Sequence, residues 1–461
     1  MSQTAFSSLD LHADLLKNVA SLGYETMTPI QAQSLPPILA DKDVIAQGKT
    51  GSGKTAAFAL GLLQKLEAKD FRVQSLVLCP TRELADQVAK EIRKLARTIQ
   101  NIKVLTLCGG MPFGPQTGSL ESGVHIVVGT PGRIEEHLRK TTLKLDSLTT
   151  LVLDEADRML EMGFQPALDT IIEHTPKQRQ TLLFSATFPA QIKSIAERIM
   201  NDPVMAKVTS THDENIIEQH FYKVDDDEQR LITLRLLLLK HRPESTVVFC
   251  NTKREVQEIA DQLSADGFSV LALHGDLEQK DRDMTLVRFA NKSASVLVAT
   301  DVAARGLDID ALDLVINYHI ARDTEVHVHR IGRTGRAGSK GIACSLYSDK
   351  EHYKVALLGD YLDKIIESEK LPPLSLLNES PGKPKVATIQ IDGGKKQKVR
   401  PGDILGALTG KNGITGKQVG KIHIFDNRAY VAISQDVIKP ALKKLTAGKI
   451  KGRSFRARLI S

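Results

Sequence analysis

This 461-residue chain predicts an α/β fold: two doubly wound parallel-sheet domains, then a small basic α+β domain. Three observations predict it. Short β-rich runs without polar alternation occur in two series, as expected of strands buried on both faces. Amphipathic helical stretches separate them, which is the alternation of a parallel sheet. Charge is divided as well. Residues 383–461 hold eighteen Lys and Arg against four Asp, about +14, whereas residues 1–382 hold 44 bases and 51 acids.

In the first series "SLVLCP", "VLTLCGG", "HIVVGTP", "TLVLDEAD" and "TLLFSAT" read as strands. Leu84, Val88, Ile92 and Leu95 form one stripe of the helix between the first two. The second series is "STVVFCNT", "SVLALHGD", "SVLVATDVAARG", "DLVINYHI" and "GIACSLYS", with Val256, Ile259 and Leu263 on its first helix. The expected domains are 1–207 and 208–368, a Pro- and Gly-broken linker 369–384, and a basic domain 385–461. Cys79, Cys108, Cys250 and Cys344 are scattered without a CxxC pair, so they read as small buried hydrophobes rather than a zinc site. No apolar run reaches bilayer length, and "MSQTAFSSLD" lacks the features of a signal peptide. A cytoplasmic protein without membrane association is expected. No heptad or other association motif appears, which predicts a monomer.

Polar motifs fall where strands end, the place where open parallel sheets hold their ligands. "GKTGSGKT" (Gly48, Lys49, Thr50, Gly51, Ser52, Gly53, Lys54, Thr55) follows the apolar "DVIA" and opens a helix. Such glycines let backbone N–H groups surround phosphate oxygens; Lys54 reaches the β and γ phosphates and the Thr55 hydroxyl ligates Mg²⁺. Asp154 ends a strand where it can hold the same Mg²⁺ through water, and Glu155 is placed to orient or deprotonate the attacking water. ATP and Mg²⁺ are the expected ligands.

These residues belong to a longer series: "DEAD" (154–157), "PTRELADQ", "TPGR", "SAT", "ATDVAARGLDI" and "HRIGRTGR". In that order and spacing, over residues 6–350, the chain resembles the DEAD-box RNA helicases, and the resemblance implies two RecA-like domains. It implies further roles. Gln31 would bond the adenine edge, Tyr24 would stack on its face, and Asp308 would contact the ribose. Arg333 and Arg336 would reach the γ-phosphate; at i, i+3 they project together only from near-helical backbone. Ser185 and Thr187, bonded to Asp157 or to the motifs that close on ATP, would couple nucleotide state to the bend in the RNA. Thr81, Arg82, Gly109, Gly110, Thr130 and Arg133 look like first-domain RNA contacts, with Gln279, Arg282 and Thr300 in the second. None of them reads bases, so they position without sequence information.

The final stretch reads β-α-β-β-α-β, the order of an RNA-recognition motif. Its third strand offers Tyr430 and Arg428, and its first strand offers no aromatic. The expected grip is therefore by backbone and shape, through Lys395, Lys396, Lys398, Arg400, Lys449, Lys451 and Arg453. "IDGGKKQKVRPGD" and "GALTG" are similar to the tail of the bacterial DbpA type of this family, which implies a hairpin of 23S ribosomal RNA as its target. The expectation is an RNA-dependent ATPase and helicase that remodels ribosomal RNA during large-subunit assembly. An ATP-gated RNA clamp, a general RNA chaperone without a unique target and a P-loop DNA motor are the alternatives.

Overall fold

A computed structural model describes residues 4–48, 51–208, 217–304, 312–335, 340–410 and 413–460. Lys49, Thr50, Asp308 and Arg336 lie outside the described residues. The chain divides into two compact units, Met1–His212 and Asp213–Ser461.

In the first unit the strands are β1 (Val44–Gln47), β2 (Ser75–Leu78), β3 (Val104–Leu107), β4 (Ile126–Gly129), β5 (Thr150–Asp154), β6 (Gln180–Ser185) and β7 (Val204–Lys207). They form one sheet in the order β3-β4-β2-β5-β6-β1-β7, every pairing parallel. Strands β2, β4, β5 and β6 are buried at every residue, because helices cover both faces with separate apolar clusters. The helix Arg82–Leu95 starts where Thr81 caps it, accepting from the Leu84 N–H, and it buries all four residues of its predicted stripe. The order has a consequence for function. Strands β3, β4 and β2 end on the predicted RNA motifs, and β5, β6 and β1 end on the predicted nucleotide motifs.

In the second unit β8 (Ile217–Lys223), β9 (Thr246–Cys250), β10 (Val270–Leu273), β11 (Val296–Thr300), β12 (Leu314–Asn317) and β13 (Gly341–Tyr347) form a second parallel sheet, β10-β11-β9-β12-β13-β8. The stretch after it is not a free tether. Glu369 N–H donates to Phe221 O of β8 (2.8 Å), and its carboxylate meets His220 Nδ1 at 2.6 Å. All four cysteines are buried. No helix among the described residues is long and apolar enough to cross a membrane.

A buried ionic knot braces this sheet. Arg230 donates to Tyr318 O, to Leu346 O and to Glu351 Oε2 (2.7 Å). Burial pushes Glu351 up, but His319 and Arg230 outweigh it and hold the carboxyl at about 2, down from 4.5. A depressed carboxyl stabilises the fold above pH 4.5, and that contribution is lost as pH falls toward 2. Arg230→Met strands Glu351 beneath the surface and is expected to cost about 3–5 kcal/mol. Urea unfolding at neutral pH measures it, and the difference should shrink as the pH is lowered toward that of the carboxyl.

The last domain has strands β14 (Val386–Ile391), β15 (Val419–Ile424), β16 (Ala429–Ser434) and β17 (Ala457–Ile460) in an antiparallel sheet, β15-β16-β14-β17. Helices Pro401–Thr409 and Ile438–Ala447 complete the predicted β-α-β-β-α-β order and pack on one face through Ile404, Leu408, Ala441 and Leu445. The other face is covered too. Thr388 and Gln390 of β14 and Tyr430 and Ala432 of β16 are each at most 2% exposed. Asn291 Nδ2 donates to Thr388 Oγ1 (3.1 Å), Ser293 Oγ lies 2.7 Å from the same atom, and His423 Nε2 bonds Asn291 Oδ1. Residues just beyond the helix Gln279–Ala290 thus lie on the tail sheet.

Candidate nucleotide and RNA sites

The phosphate loop is clasped from upstream. Thr28 caps the helix Pro29–Leu39 in a capping box with Gln31. The same two side chains reach across: Thr28 Oγ1 donates to Ser52 O (2.7 Å) and Gln31 Nε2 to Gly53 O (3.0 Å). Gly53 has φ +93°, and a Cβ there would fall 2.5 Å from Gln31 Nε2, so only glycine fits. Lys54 is buried and its Nζ donates to Gly48 O (2.7 Å). Tyr24 is held by its hydroxyl, which donates to Glu91 Oε1 (2.8 Å) and accepts from Lys94 Nζ (3.1 Å), with Phe6 stacked at 6.3 Å. The predicted adenine-stacking ring is therefore tied to the helix that begins at Arg82.

At the end of β5, burial drives the Asp154 carboxyl up to about 7, Lys54 opposes this and Glu155 adds to it. Glu155 adopts a left-handed backbone (φ +51°), a strained conformation of the kind found at active sites. Its Oε2 is buried without a hydrogen bond, 3.4 Å from Arg158 Nε. A buried carboxylate that resists ionisation beside an unbonded carboxylate oxygen is a donor set short of positive charge, and it fits a divalent cation. Thr55 and Asp154 are the residues that would hold it.

The predicted coupling residues meet. Asp157 Oδ2 accepts from Thr187 N (3.0 Å) and Thr187 Oγ1 (2.9 Å), while Asp157 N–H donates to Ser185 Oγ (3.4 Å). Burial pushes Asp157 up, but the bonds from Thr187 win and hold it below the usual carboxylate range. Gly48 N–H donates to Ser185 O (3.0 Å), which joins the phosphate loop to the same strand end.

Around the RNA motifs, Gly110 has φ +73° and a Cβ on it would fall 1.8 Å from Arg82 Nη1. The Arg82 guanidinium thus lies on the Gly109–Gly110 turn. Thr81 commits its hydroxyl to capping, and Thr130 is buried at the start of the helix Pro131–Arg139. Arg133 points inward. Its Nη1 donates to Met111 O (3.0 Å) and Gln116 Oε1 (2.8 Å), and its Nε pairs with Glu136.

In the second unit Gln279 bonds Asp283 (2.8 Å), Arg282 donates to Ala303 O (2.8 Å), and Thr300 Oγ1 accepts from Ala303 N–H. These three share the ends of β10 and β11. The helix Thr324–Ile331 stops at Gly332, Thr334 bridges to Leu312, and Gly335 has φ +66°. Past the helix the backbone still turns at Arg333, whose N–H donates to Arg330 O (3.2 Å) while Thr334 N–H donates to Ile331 O (3.0 Å). Sequence reasoning missed Arg330 of "HRIGR", the residue that carries the local structure. It pairs twice with Asp301 (both 2.7 Å) and donates to His319 O.

In the tail the "GGKKQK" loop folds against the β15–β16 turn: Lys395 N–H donates to Phe425 O and Lys396 N–H to Asp426 O, both 2.9 Å. A Cβ on Gly394 would fall 2.1 Å from Phe425 O, which explains that glycine. Lys451 Nζ reaches Lys398 O at 3.3 Å. Lys395, Lys396, Lys398, Arg400, Lys449, Lys451 and Arg453 are all exposed. The aromatic Tyr430, by contrast, is buried on the covered face.

Residues 28–195 match the DEAD/DEAH box helicase family, 228–338 the helicase conserved C-terminal domain, and 388–459 the DbpA RNA binding domain. ATP-dependent RNA helicase DbpA of Escherichia coli is 55% identical over 458 residues, 99% of this chain and 100% of that one. The chain belongs to the DbpA-type DEAD-box RNA helicases. It is an ATP-dependent RNA helicase built from two RecA-like domains and a small antiparallel RNA-binding domain. The DEAD-box helicase CshA of Geobacillus kaustophilus is 44% identical over 349 residues, 76% of this chain and 74% of its own. Among solved structures, Dbp5 of Saccharomyces cerevisiae bound to RNA and ADP BeF3 matches with a TM-score of 0.71 at 27% identity, over 82% of this chain and all of that one.

Proposed function

We propose that this helicase remodels 23S ribosomal RNA in precursors of the large subunit, in the cytoplasm, and that its tail seats on one hairpin of that RNA. The observation that carries the reading is the tail's division of surfaces. Its sheet face is closed by Asn291 and Ser293, while the 393–400 loop exposes Lys395, Lys396, Lys398 and Arg400 and is touched by Lys451. A folded RNA recognised by backbone and shape suits such a surface, whereas splayed bases stacked on a sheet do not.

In the catalytic cycle Gln31 and Tyr24 select adenine, Asp308 contacts the ribose, and Lys54 and the loop amides hold the phosphates. Thr55 and Asp154 would hold Mg²⁺, which would supply positive charge to the phosphates. Glu155 orients and deprotonates the attacking water, and Arg333 and Arg336 meet the charge that develops on the γ-phosphoryl group. Asp157, Ser185 and Thr187 pass the nucleotide state from β5 and β6 toward the RNA motifs.

Reversing Lys395, Lys396, Lys398 and Arg400 to Glu is expected to weaken binding of a 23S fragment and flatten its salt dependence. The slope should fall by about 0.7–0.9 for every phosphate that no longer meets a base. An unchanged slope in a salt titration would remove the loop from the RNA interface. Substitution is a cleaner test than truncation, because deleting the tail would also uncover Asn291 and Ser293.

A further inference from the structure

Gln116, His137 and Phe113 lie in none of the recognised motifs, yet they form a network beside the Gly109–Gly110 turn, with Gln116 and His137 buried and Phe113 half-buried. Gln116 is 6% exposed and His137 fully buried. Arg133 can only donate, so Gln116 must present Oε1 to it (2.8 Å), which leaves Gln116 Nε2 to donate to Cys108 O at 3.1 Å. That same Oε1 lies 3.0 Å from His137 Nε2, so Nε2 carries the imidazole proton. Nδ1 then faces the Thr142 hydroxyl at 2.8 Å as an acceptor, and that hydroxyl also lies 3.2 Å from His137 O. Phe113 stacks on the imidazole with ring centres 4.1 Å apart, and Lys140 Nζ sits 4.0 Å from the centre of the Phe113 ring. The Gln116 amide and both His137 ring nitrogens all have partners.

The network grips the turn on both flanks. Gln116 holds the carbonyl of Cys108, just before Gly109, and Arg133 holds the carbonyl of Met111, just after Gly110. Between these two anchors the turn has no side chain of its own, and Arg82 rests on it. We propose that Gln116 and His137 are positioning residues for the RNA grip of the first unit: they lock Arg133 and the two flanking carbonyls, and so set the shape the Gly109–Gly110 turn and Arg82 present to the strand. Arg133 then acts through the turn rather than by touching RNA. The inference rests on the reading of Arg82, Gly109 and Gly110 as RNA contacts.

The test uses the full chain and measures its affinity for a labelled, unstructured oligouridylate with ADP–beryllium fluoride bound. Thermal midpoint and nucleotide affinity without RNA are measured alongside. Gln116→Ala is expected to weaken the RNA affinity roughly tenfold, the scale of leaving buried partners unmatched, with nucleotide affinity unchanged. His137→Gln keeps a donor toward Gln116 and should weaken it by only about threefold. It also carries the test should Gln116→Ala fail to fold. Arg82→Ala separates the two readings. If Arg82→Ala weakens RNA binding and neither network variant does, positioning is overturned and the RNA reading stands. If none of the three matters, the RNA reading itself fails. A lowered thermal midpoint with unchanged RNA affinity also overturns positioning, because it reports packing alone.

Discussion

Glu155→Gln is expected to lower RNA-stimulated ATP turnover by roughly 10²–10⁴-fold, the usual contribution of a general base, while ATP and RNA remain bound. The substitution is nearly isosteric and acts on a carboxylate oxygen that has no hydrogen bond to lose. The Glu155 carboxylate also pairs with the buried Arg158 Nε at 3.4 Å, so removing the charge should lower the unfolding midpoint somewhat, and turnover is compared on folded protein. Steady-state ATPase assays with nucleotide-affinity measurements check this. A variant that still binds and releases RNA in step with ATP binding, and still performs the protein's task, would favour the ATP-gated clamp.

Arg333→Ala and Arg336→Ala are expected to cost roughly 10³–10⁵-fold in turnover, the range for an arginine that meets transition-state charge. Binding of a 23S fragment through the tail should be untouched in both. Arg330→Ala is the contrasting control. That guanidinium is committed to Asp301, Asn317 and His319, so its removal should appear first as a lower unfolding midpoint. Single-turnover ATPase and thermal unfolding separate the two outcomes. Failure of RNA docking in Arg336→Ala would contradict the division between motor and tail.

Much of this was legible in the sequence, because most of the nucleotide and RNA motifs directly follow an apolar run, although the Gln31 and Arg333 segments do not. "VLDEAD" and "LFSAT" announce both the strand and the polar residues it delivers, and the parallel sheet then brings Asp157, Ser185 and Thr187 together. The features that escaped are made by long-range packing. Arg230 reads as a surface base in a Leu-rich helix, and only Glu351, 121 residues later, explains its burial. Gln116 and His137 are 21 residues apart and meet through their side chains alone. Thr388 and Gln390 alternate with Ile389 and Ile391 as a solvent-facing row should, yet residues next to another helix cover them. Arg133 carries the charge of an RNA contact, but the nearest acceptors, Met111 O and Gln116 Oε1, turn it inward.

The central claim, an RNA motor addressed by its tail, is tested most directly by one comparison. Steady-state ATPase rates would be measured without RNA, with homopolymer RNA and with a tiled set of 23S fragments. The full chain would be compared with the variant reversed at Lys395, Lys396, Lys398 and Arg400. Strong stimulation by one fragment, abolished in the variant while its unstimulated rate is kept, is the predicted result. Equal stimulation by every RNA, with or without those bases, would contradict it.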